Sequence, residues 1–406
     1  MKIWIKLVLG IAIGTVLGYF IPQFKDTVGF WAELIGNIGR YGLFPLVLFS
    51  VPLAILELRK EKQIFKFFGL SVLYLAAASL ILIILGTMTV LLLVPNRIPI
   101  IIEKEQIIHL PGIRELLYMV FPKNIFSLLN SDGNYMFPLY VFSFFLGLNF
   151  SFDRIITRPA VQLFDSFSRI FYHINTFIVE LMGIGIIAFA AFWCIQIRTI
   201  PDFEIFAQTV LLLAINATIV IFGVYPAILY FSLNKENPYK SLYALVTPVL
   251  TGFFSANLYF ALPSLIHHGK ENLGIPRKAG ISIFPLYAVF GKAGTALVTS
   301  ITFLIIVRSY SSLGIGISTF FWVILFSYLT SFISGPLPGL GVYVSLMVLC
   351  RLYGQGIEEG YLIIAPIMPV LLSIATAVDI LTAGLGTFLS SRHMGFTKEI
   401  KTKDYA

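Results

Sequence analysis

Two charged side chains lie deep within long apolar stretches in the second half of the chain. Lys292 is the only charge between residues 279 and 307, and Asp379 is the only charge between residues 361 and 391. A charge at the centre of a bilayer costs about 2.5–3.5 kcal/mol on insertion scales and by default marks a functional site. An ion-coupling role and a structural ion pair between two helices would both explain Lys292 and Asp379, and the two roles are compatible.

The other ionisable residues in apolar stretches offer less chemistry. His173 and Glu180 are seven residues apart, two turns along one helix face, where a structural or lipid-contact role is favoured over a proton relay. His267 and His268 have no third metal ligand nearby, so a solvated loop is favoured over a metal site. An enzyme would need a nucleophile with a base, or a metal constellation. The pattern shows neither, and the sequence predicts neither an enzyme nor a cofactor.

The composition indicates which environment these charges occupy. Of 406 residues, 58% are hydrophobic and only 12% are charged, whereas a soluble domain carries about 25% charged residues. The net charge of +8 could indicate nucleic acid, but the Lys and Arg residues lie mainly in short loops between apolar runs, as they do in membrane proteins. The sequence therefore predicts an all-α polytopic membrane protein and excludes soluble enzymes and nucleic-acid-binding proteins.

Eight apolar segments predict transmembrane helices. They cover residues 3–21, 35–56, 67–94, 137–148, 170–195, 205–231, 279–307 and 361–391. Two further apolar segments, 242–266 and 310–350, are interrupted by Ser255-Ala256-Asn257 and by the Gly- and Pro-rich stretch 334–339. An arm of about a dozen residues reaches only roughly 18 Å, which is too short for a hydrocarbon core of about 30 Å. Both segments are therefore predicted to be re-entrant helical hairpins, and paired interrupted segments point to the binding site of a transporter.

The distribution of basic residues supports this topology. With the amino terminus in the cytoplasm, 18 Lys and Arg residues fall on the cytoplasmic side and 9 on the outer side, Lys292 being left out. This bias follows the positive-inside rule. The sequence thus predicts a multi-pass protein of the inner (plasma) membrane with both termini in the cytoplasm.

Four short motifs resemble the dicarboxylate/amino acid:cation symporters, the glutamate-transporter family, over nearly the whole chain. They are Pro122-Lys123-Asn124-Ile125-Phe126, Gly294-Thr295-Ala296-Leu297, Pro336-Leu337-Pro338-Gly339-Leu340-Gly341 and Gly386-Thr387. The resemblance implies inverted repeats, an elevator mechanism and a homotrimer.

The same resemblance implies a division into a scaffold and a moving transport domain. Residues 1–62 would form scaffold spans 1 and 2, residues 63–96 transport-domain span 3, and residues 97–200 scaffold spans 4 and 5. Residues 201–391 would complete the transport domain with span 6, hairpin 1, span 7, hairpin 2 and span 8, and residues 392–406 would form a cytoplasmic tail.

In such a fold the hairpin tips would enclose the solute. The resemblance implies that the following residues contact it: Ser255, Ala256, Asn257, Thr295, Ser331, Pro336, Leu337, Ala375 and Asp379. Lys292 and Asp379 would take part in ion coupling.

Departures from the family pattern affect the cation sites and the solute site. Gly291-Lys292-Ala293 replaces an Asn-Met-Asp motif, and Ala383 falls where the family has a sodium-binding Asp. Ala375 falls where the family has an Arg that holds an acidic side chain, and Leu372 where it has an Asp that holds an amino group. These losses remove oxygen ligands for sodium and the usual contacts for acidic amino acids.

The function predicted from these observations is a secondary active transporter, a symporter of a small organic solute such as an amino acid or a dicarboxylate. Lys292, paired with Asp379, would replace the cation and make transport sodium-independent. Proton coupling would follow if Lys292 exchanged its proton during transport. An ion-uncoupled facilitator and an anion-conducting channel on the same scaffold remain alternatives. The predicted partners are the solute, membrane lipid and further copies of the chain.

Overall fold

The computed structural model describes residues 2–100, 113–124, 135–233, 236–311, 316–333 and 341–405. These parts of the chain form α-helices with a few short 3-10 and π-helical segments, joined by turns, with no β-strand among them. The first nine helices are α1 Ile3–Phe20, α2 Lys25–Tyr41, α3 Leu43–Lys60, α4 Ile64–Leu93, α5 Ile113–Val120, α6 Phe137–Asn149, α7 Arg154–Arg198, α8 Phe203–Ile219 and α9 Tyr225–Ser232. The remaining helices are α10 Tyr239–Ala244, α11 Val246–Ser255, α12 Leu258–Glu271, α13 Arg277–Phe290, α14 Ala293–Tyr310, α15 Ile317–Ile333, α16 Gly341–Tyr353 and α17 Met368–His393.

Seven helical stretches in the described residues are long and apolar enough to cross a membrane. They are Ile3–Phe20, Pro22–Lys60, Ile64–Leu93, Ile155–Arg198, Phe203–Ser232, Arg277–Tyr310 and Gly360–His393. The segment predicted as span 4 forms only the short apolar helix α6. The chain is therefore a multi-pass α-helical membrane protein, and the count of eight spans stays a prediction.

The first helix packs very closely on α7 through glycine. Gly10, Gly14 and Gly18 are buried, whereas Ile13, to one side of this stripe, is 50% exposed. A Cβ atom on Gly14 would overlap the carbonyl oxygen of Ile187. Small residues at such spacing let transmembrane helices approach backbone to backbone, and here they join α1 to α7.

This packing makes Gly14→Leu destabilising. The new side chain would force α1 away from α7, and overpacking of this kind costs about 1–3 kcal/mol or more. Thermal unfolding of the purified protein in detergent should show a clear fall in Tm. Ile13→Leu on the exposed face is the matched control and should leave Tm unchanged. Equal stability of Gly14→Leu and the wild type would contradict this helix pairing.

The helices break close to residues that were predicted to contact the solute. At the first predicted hairpin, α11 ends at Ser255, Ala256 adopts a left-handed φ of 49°, and α12 begins at Leu258. The Asn257 carboxamide oxygen caps α12 by accepting hydrogen bonds from the backbone N–H groups of Tyr259 and Phe260. The break between α15 and α16, including the predicted tip 334–339, lies outside the described residues.

A second break interrupts the segment 279–307, which the sequence predicts as one continuous span. The structure divides it at Gly291–Lys292 into α13 and α14, and Lys292 is the N-cap residue of α14. The Lys292 side chain makes no capping bond there.

The prediction that His267 and His268 lie in a solvated loop is wrong. Both are in α12, where they are 7% and 0% exposed. The helix continues past the predicted end of the hairpin and packs against α7, α13 and α17. This packing covers the two imidazole rings.

The helices pack in two groups. In one group α7 contacts α1, α2 and α3, and α6 contacts α3. In the other, α14 contacts α4, α15, α16 and α17, while α11 and α12 contact each other and α17. The groups meet where α13 packs on α3 and where α11 and α12 pack on α7.

The segment after α17 lies back against the helices. The backbone N–H of Lys398 donates to the carbonyl of Gly274 at 3.0 Å. Tyr405 is 8% exposed, and its ring stacks on Tyr243 with centroids 5.9 Å apart. Burial raises the pKa of the Tyr405 phenol. The predicted tail 392–406 thus contacts the helices at Lys398 and Tyr405, whereas Lys401 to Asp404 are exposed.

Candidate functional site

The carboxylate of Asp379 binds the amino-terminal end of α14. Its Oδ1 accepts hydrogen bonds from the backbone N–H groups of Gly294 at 2.7 Å and Thr295 at 3.1 Å. Its Oδ2 accepts the Thr295 hydroxyl proton at 2.7 Å. Free N–H groups and the helix dipole make a helix amino terminus favourable for an anion. Asp379 therefore supplies the cap that the α14 sequence lacks and ties α14 to α17.

Glycine at position 294 allows this contact. A Cβ atom there would overlap the carbonyl oxygen of Ala375 and lie 2.6 Å from the Val378 Cβ and 2.9 Å from the Asp379 backbone nitrogen. Only a residue without a side chain lets the first turn of α14 approach α17 so closely.

The ammonium group of Lys292 lies beside this contact without joining it. The side chain is only 8% exposed, yet the ion pairs found among the described residues do not include it. The Asp379 oxygens bind α14 donors instead. Lys292 and Asp379 thus attract each other across the cavity without a contact ion pair, and their predicted pairing stays a prediction.

Lys292 and Asp379 line a small closed cavity of about 20 Å³. The described residues around it are Ala256, Leu258, Tyr259, Lys292, Thr295, Gly341, Leu372, Ala375, Thr376 and Asp379. This space holds about one water molecule. An organic solute could enter only if the surrounding helices separated.

A much larger vestibule of about 680 Å³ adjoins the cavity. Ala256 and Leu372 line both spaces and so form the partition between them. The vestibule lies between α2 and α7 on one side and the α11 end and α17 on the other. Across it, the Trp193 indole N–H donates to the Ser373 hydroxyl oxygen at 2.9 Å, which joins α7 to α17.

The structure brings together five of the residues predicted for the site: Ala256, Lys292, Thr295, Ala375 and Asp379. The other predicted residues that it describes lie elsewhere. Ser255 lines the vestibule, Asn257 caps α12, and the Ser331 hydroxyl donates to the Tyr328 carbonyl at 2.7 Å. Pro336 and Leu337 lie outside the described residues.

Sequence reasoning missed two polar cavity residues, Tyr259 and Thr376. Thr376 precedes Asp379 by three residues and therefore shares its helix face. That periodicity was a usable signal. Tyr259 follows the helix break at Ala256–Asn257 within one turn, and only the fold of the hairpin shows that it faces the cavity.

Long apolar helices, broken around a closed cavity that contains two buried charges, define a multi-pass membrane transport protein. The chain belongs to the sodium:dicarboxylate symporter family, whose sequence profile matches residues 3–393. Members of this family are transporters and not enzymes.

Characterised relatives are similar at low identity. The chain is 22% identical to the proton/sodium-glutamate symport protein of Geobacillus stearothermophilus over 417 aligned positions, covering 100% of this chain and 96% of that protein. It is 22% identical to the serine/threonine transporter SstT of Enterococcus faecalis over 385 positions, 94% of this chain and 84% of the relative. Excitatory amino acid transporter 2 of Homo sapiens is 22% identical over 58% of this chain and 40% of its own length.

Proposed function

We propose that the chain is a secondary carrier that moves a small organic solute, a dicarboxylate or an amino acid, through the cavity between α14 and α17. The observation that supports this is the closed cavity with two buried charges beside an open vestibule. The names of the relatives, which transport glutamate or serine and threonine, agree with this solute class. In the proposed topology the vestibule faces outward, because the first residues of α2, Lys25 and Asp26, line it and follow the outer end of α1.

We further propose an elevator movement and a homotrimer, with the scaffold and transport domain divided as in the sequence analysis. The two packing groups support the division, since α7 and its neighbours pack mainly among themselves. The Trp193–Ser373 hydrogen bond joins the two groups, so a sliding transport domain would have to break it. A cross-link between cysteines at positions 193 and 373 should therefore stop transport, and reduction should restore it. Undiminished transport by the cross-linked protein would contradict the movement.

Transport is expected to be independent of sodium. A cation beside the α14 amino terminus would meet the Lys292 ammonium and the N–H groups of Gly294 and Thr295, all of which repel it. The Asp379 carboxylate already accepts three hydrogen bonds. Proteoliposomes supplied with radiolabelled succinate or L-aspartate should show uptake that differs by less than about twofold between sodium and choline media.

Two control measurements identify the coupling ion. An inward proton gradient should accelerate uptake if Lys292 carries a proton, whereas an uncoupled facilitator would not respond to it. Conductance without saturable uptake would indicate an anion channel. A strict requirement for sodium in either substrate assay would contradict the proposal that Lys292 replaces the cation.

A further inference from the structure

Lys292 and Asp379 are opposite charges at one cavity and act on each other, but their charged groups do not form a contact ion pair. Asp379, the one carboxylate among the described lining residues, is bound by two N–H groups and one hydroxyl of α14. These donors and the helix dipole stabilise its charge without help from a cation. Asp379 therefore acts as a structural cap, and Lys292 is left beside it with a charge of its own.

Lys292 has three N–H donors to satisfy. Within the described parts of the chain no hydrogen bond or ion pair is formed by its ammonium group, although the side chain is 92% buried, being 8% exposed. The charge that acts on this group is Asp379, but its oxygens are engaged by α14 donors, so water or an anion from outside the protein can serve as the acceptor that the ammonium group lacks. The cavity has room for about one water molecule, which can fill this role while the site is closed.

The rest of the cavity selects the kind of acceptor. Ala256, Leu258, Leu372 and Ala375 have apolar side chains that line the cavity and can contact a hydrocarbon skeleton. Thr376 lines the same cavity and can donate its hydroxyl proton to an anion. Among the described lining residues no second carboxylate is present to receive an ammonium group.

We propose that Lys292 binds a carboxylate of the solute directly, and that the cavity takes organic acids without an amino group in preference to amino acids. This inference rests on the proposed carrier function. Asp379 acts as a positioning residue, because by holding the first turn of α14 it places Lys292 at the cavity. An amino acid would bring its own ammonium group next to Lys292, where like charges repel and no free carboxylate compensates.

The test compares matched pairs of probes with the same carbon skeleton. Binding of succinate against L-aspartate, and of propionate against L-alanine, is measured by calorimetry on the purified full-length protein in chloride-free methanesulfonate buffer. We expect the acids to bind about tenfold or more tightly than the amino acids, because the amino acids keep the same carboxylates but add an ammonium group that Lys292 repels. Tighter or equal binding of the amino acids would overturn the inference and leave the carrier function standing.

Two variants of Lys292 and competition by chloride test whether this side chain binds the solute. Lys292→Met should weaken succinate binding by at least about tenfold, whereas Lys292→Arg, which keeps the charge, should retain most of it. Unchanged succinate affinity in Lys292→Met would overturn the assignment, as would competition by chloride that abolishes succinate binding at equal concentration. If no probe binds, the inference fails; only an additional absence of uptake in proteoliposomes counts against the carrier. The wild-type comparison decides the question even if Lys292→Met does not fold.

Discussion

Replacing Asp379 by alanine is expected to destabilise the protein severely. The substitution removes the acceptor of three donors, the N–H groups of Gly294 and Thr295 and the Thr295 hydroxyl. These donors lie at a buried helix contact, where Asp379 itself is only 2% exposed. Leaving a buried donor without its acceptor costs about 1–3 kcal/mol for each donor. Thermal or denaturant unfolding in detergent should show this loss as a large fall in Tm and in the yield of folded protein.

The matched control is Asp379→Asn. Its carbonyl oxygen can still accept from the two N–H groups, and its amide can donate to the Thr295 oxygen, so the geometry is retained and only the charge is lost. We expect an intermediate stability. Thr295→Val removes one donor only and should couple to Asp379→Ala in a double-mutant cycle. Additive effects of the two substitutions, or a Tm of Asp379→Ala equal to that of the wild type, would contradict the capping role.

The sequence predicted the elements of this fold better than their contacts. Hydropathy alone located the long helices, and the interruption Ser255-Ala256-Asn257 indicated a helix break that the structure shows at Ala256–Asn257. The break at Gly291–Lys292 was missed, because α14 has no Ser, Thr, Asp or Asn at its N-cap position. Its cap comes from Asp379, 85 residues away from Gly294 along the chain, and local patterns carry no information on such a partner.

For the site as well, the sequence predicted which residues lie together better than how their side chains contact each other. Because each is a single charge within an apolar segment, Lys292 and Asp379 were predicted to lie at one site, and both line the same cavity. The opposite charges of Lys292 and Asp379 suggested an ion pair. Backbone N–H groups at a helix amino terminus also bind carboxylates, and those of α14 donate to Asp379. Asn257 was assigned to the solute because it lies at a hairpin tip, whereas a tip that begins a helix also needs a cap. Local capping accounts for the carboxamide oxygen of that side chain, and the solute contact stays a prediction.

Lys292→Met is expected to abolish transport while leaving the fold intact or more stable. In the described residues the Lys292 side chain makes no hydrogen bond or ion pair that the substitution would break, and Met has a similar length. Replacing a buried charge by a hydrophobic residue of similar volume is neutral or stabilising by about 1–4 kcal/mol in cases where the charge is not needed by the fold. The cavity would lose its positive charge, and with it the attraction for an anionic solute.

Measured together, Tm and uptake make this prediction decisive. Lys292→Met should show a Tm at or above that of the wild type and succinate uptake at background level, while Lys292→Arg should retain measurable uptake because it keeps the cation. Binding sites commonly contain a group that lowers the stability of the fold but is needed for function. If Lys292→Met instead unfolded the protein and Asp379→Asn restored it, the two charges would form a structural pair after all. The role of Lys292 would then be to hold α14 on α17, and the solute would need another ligand.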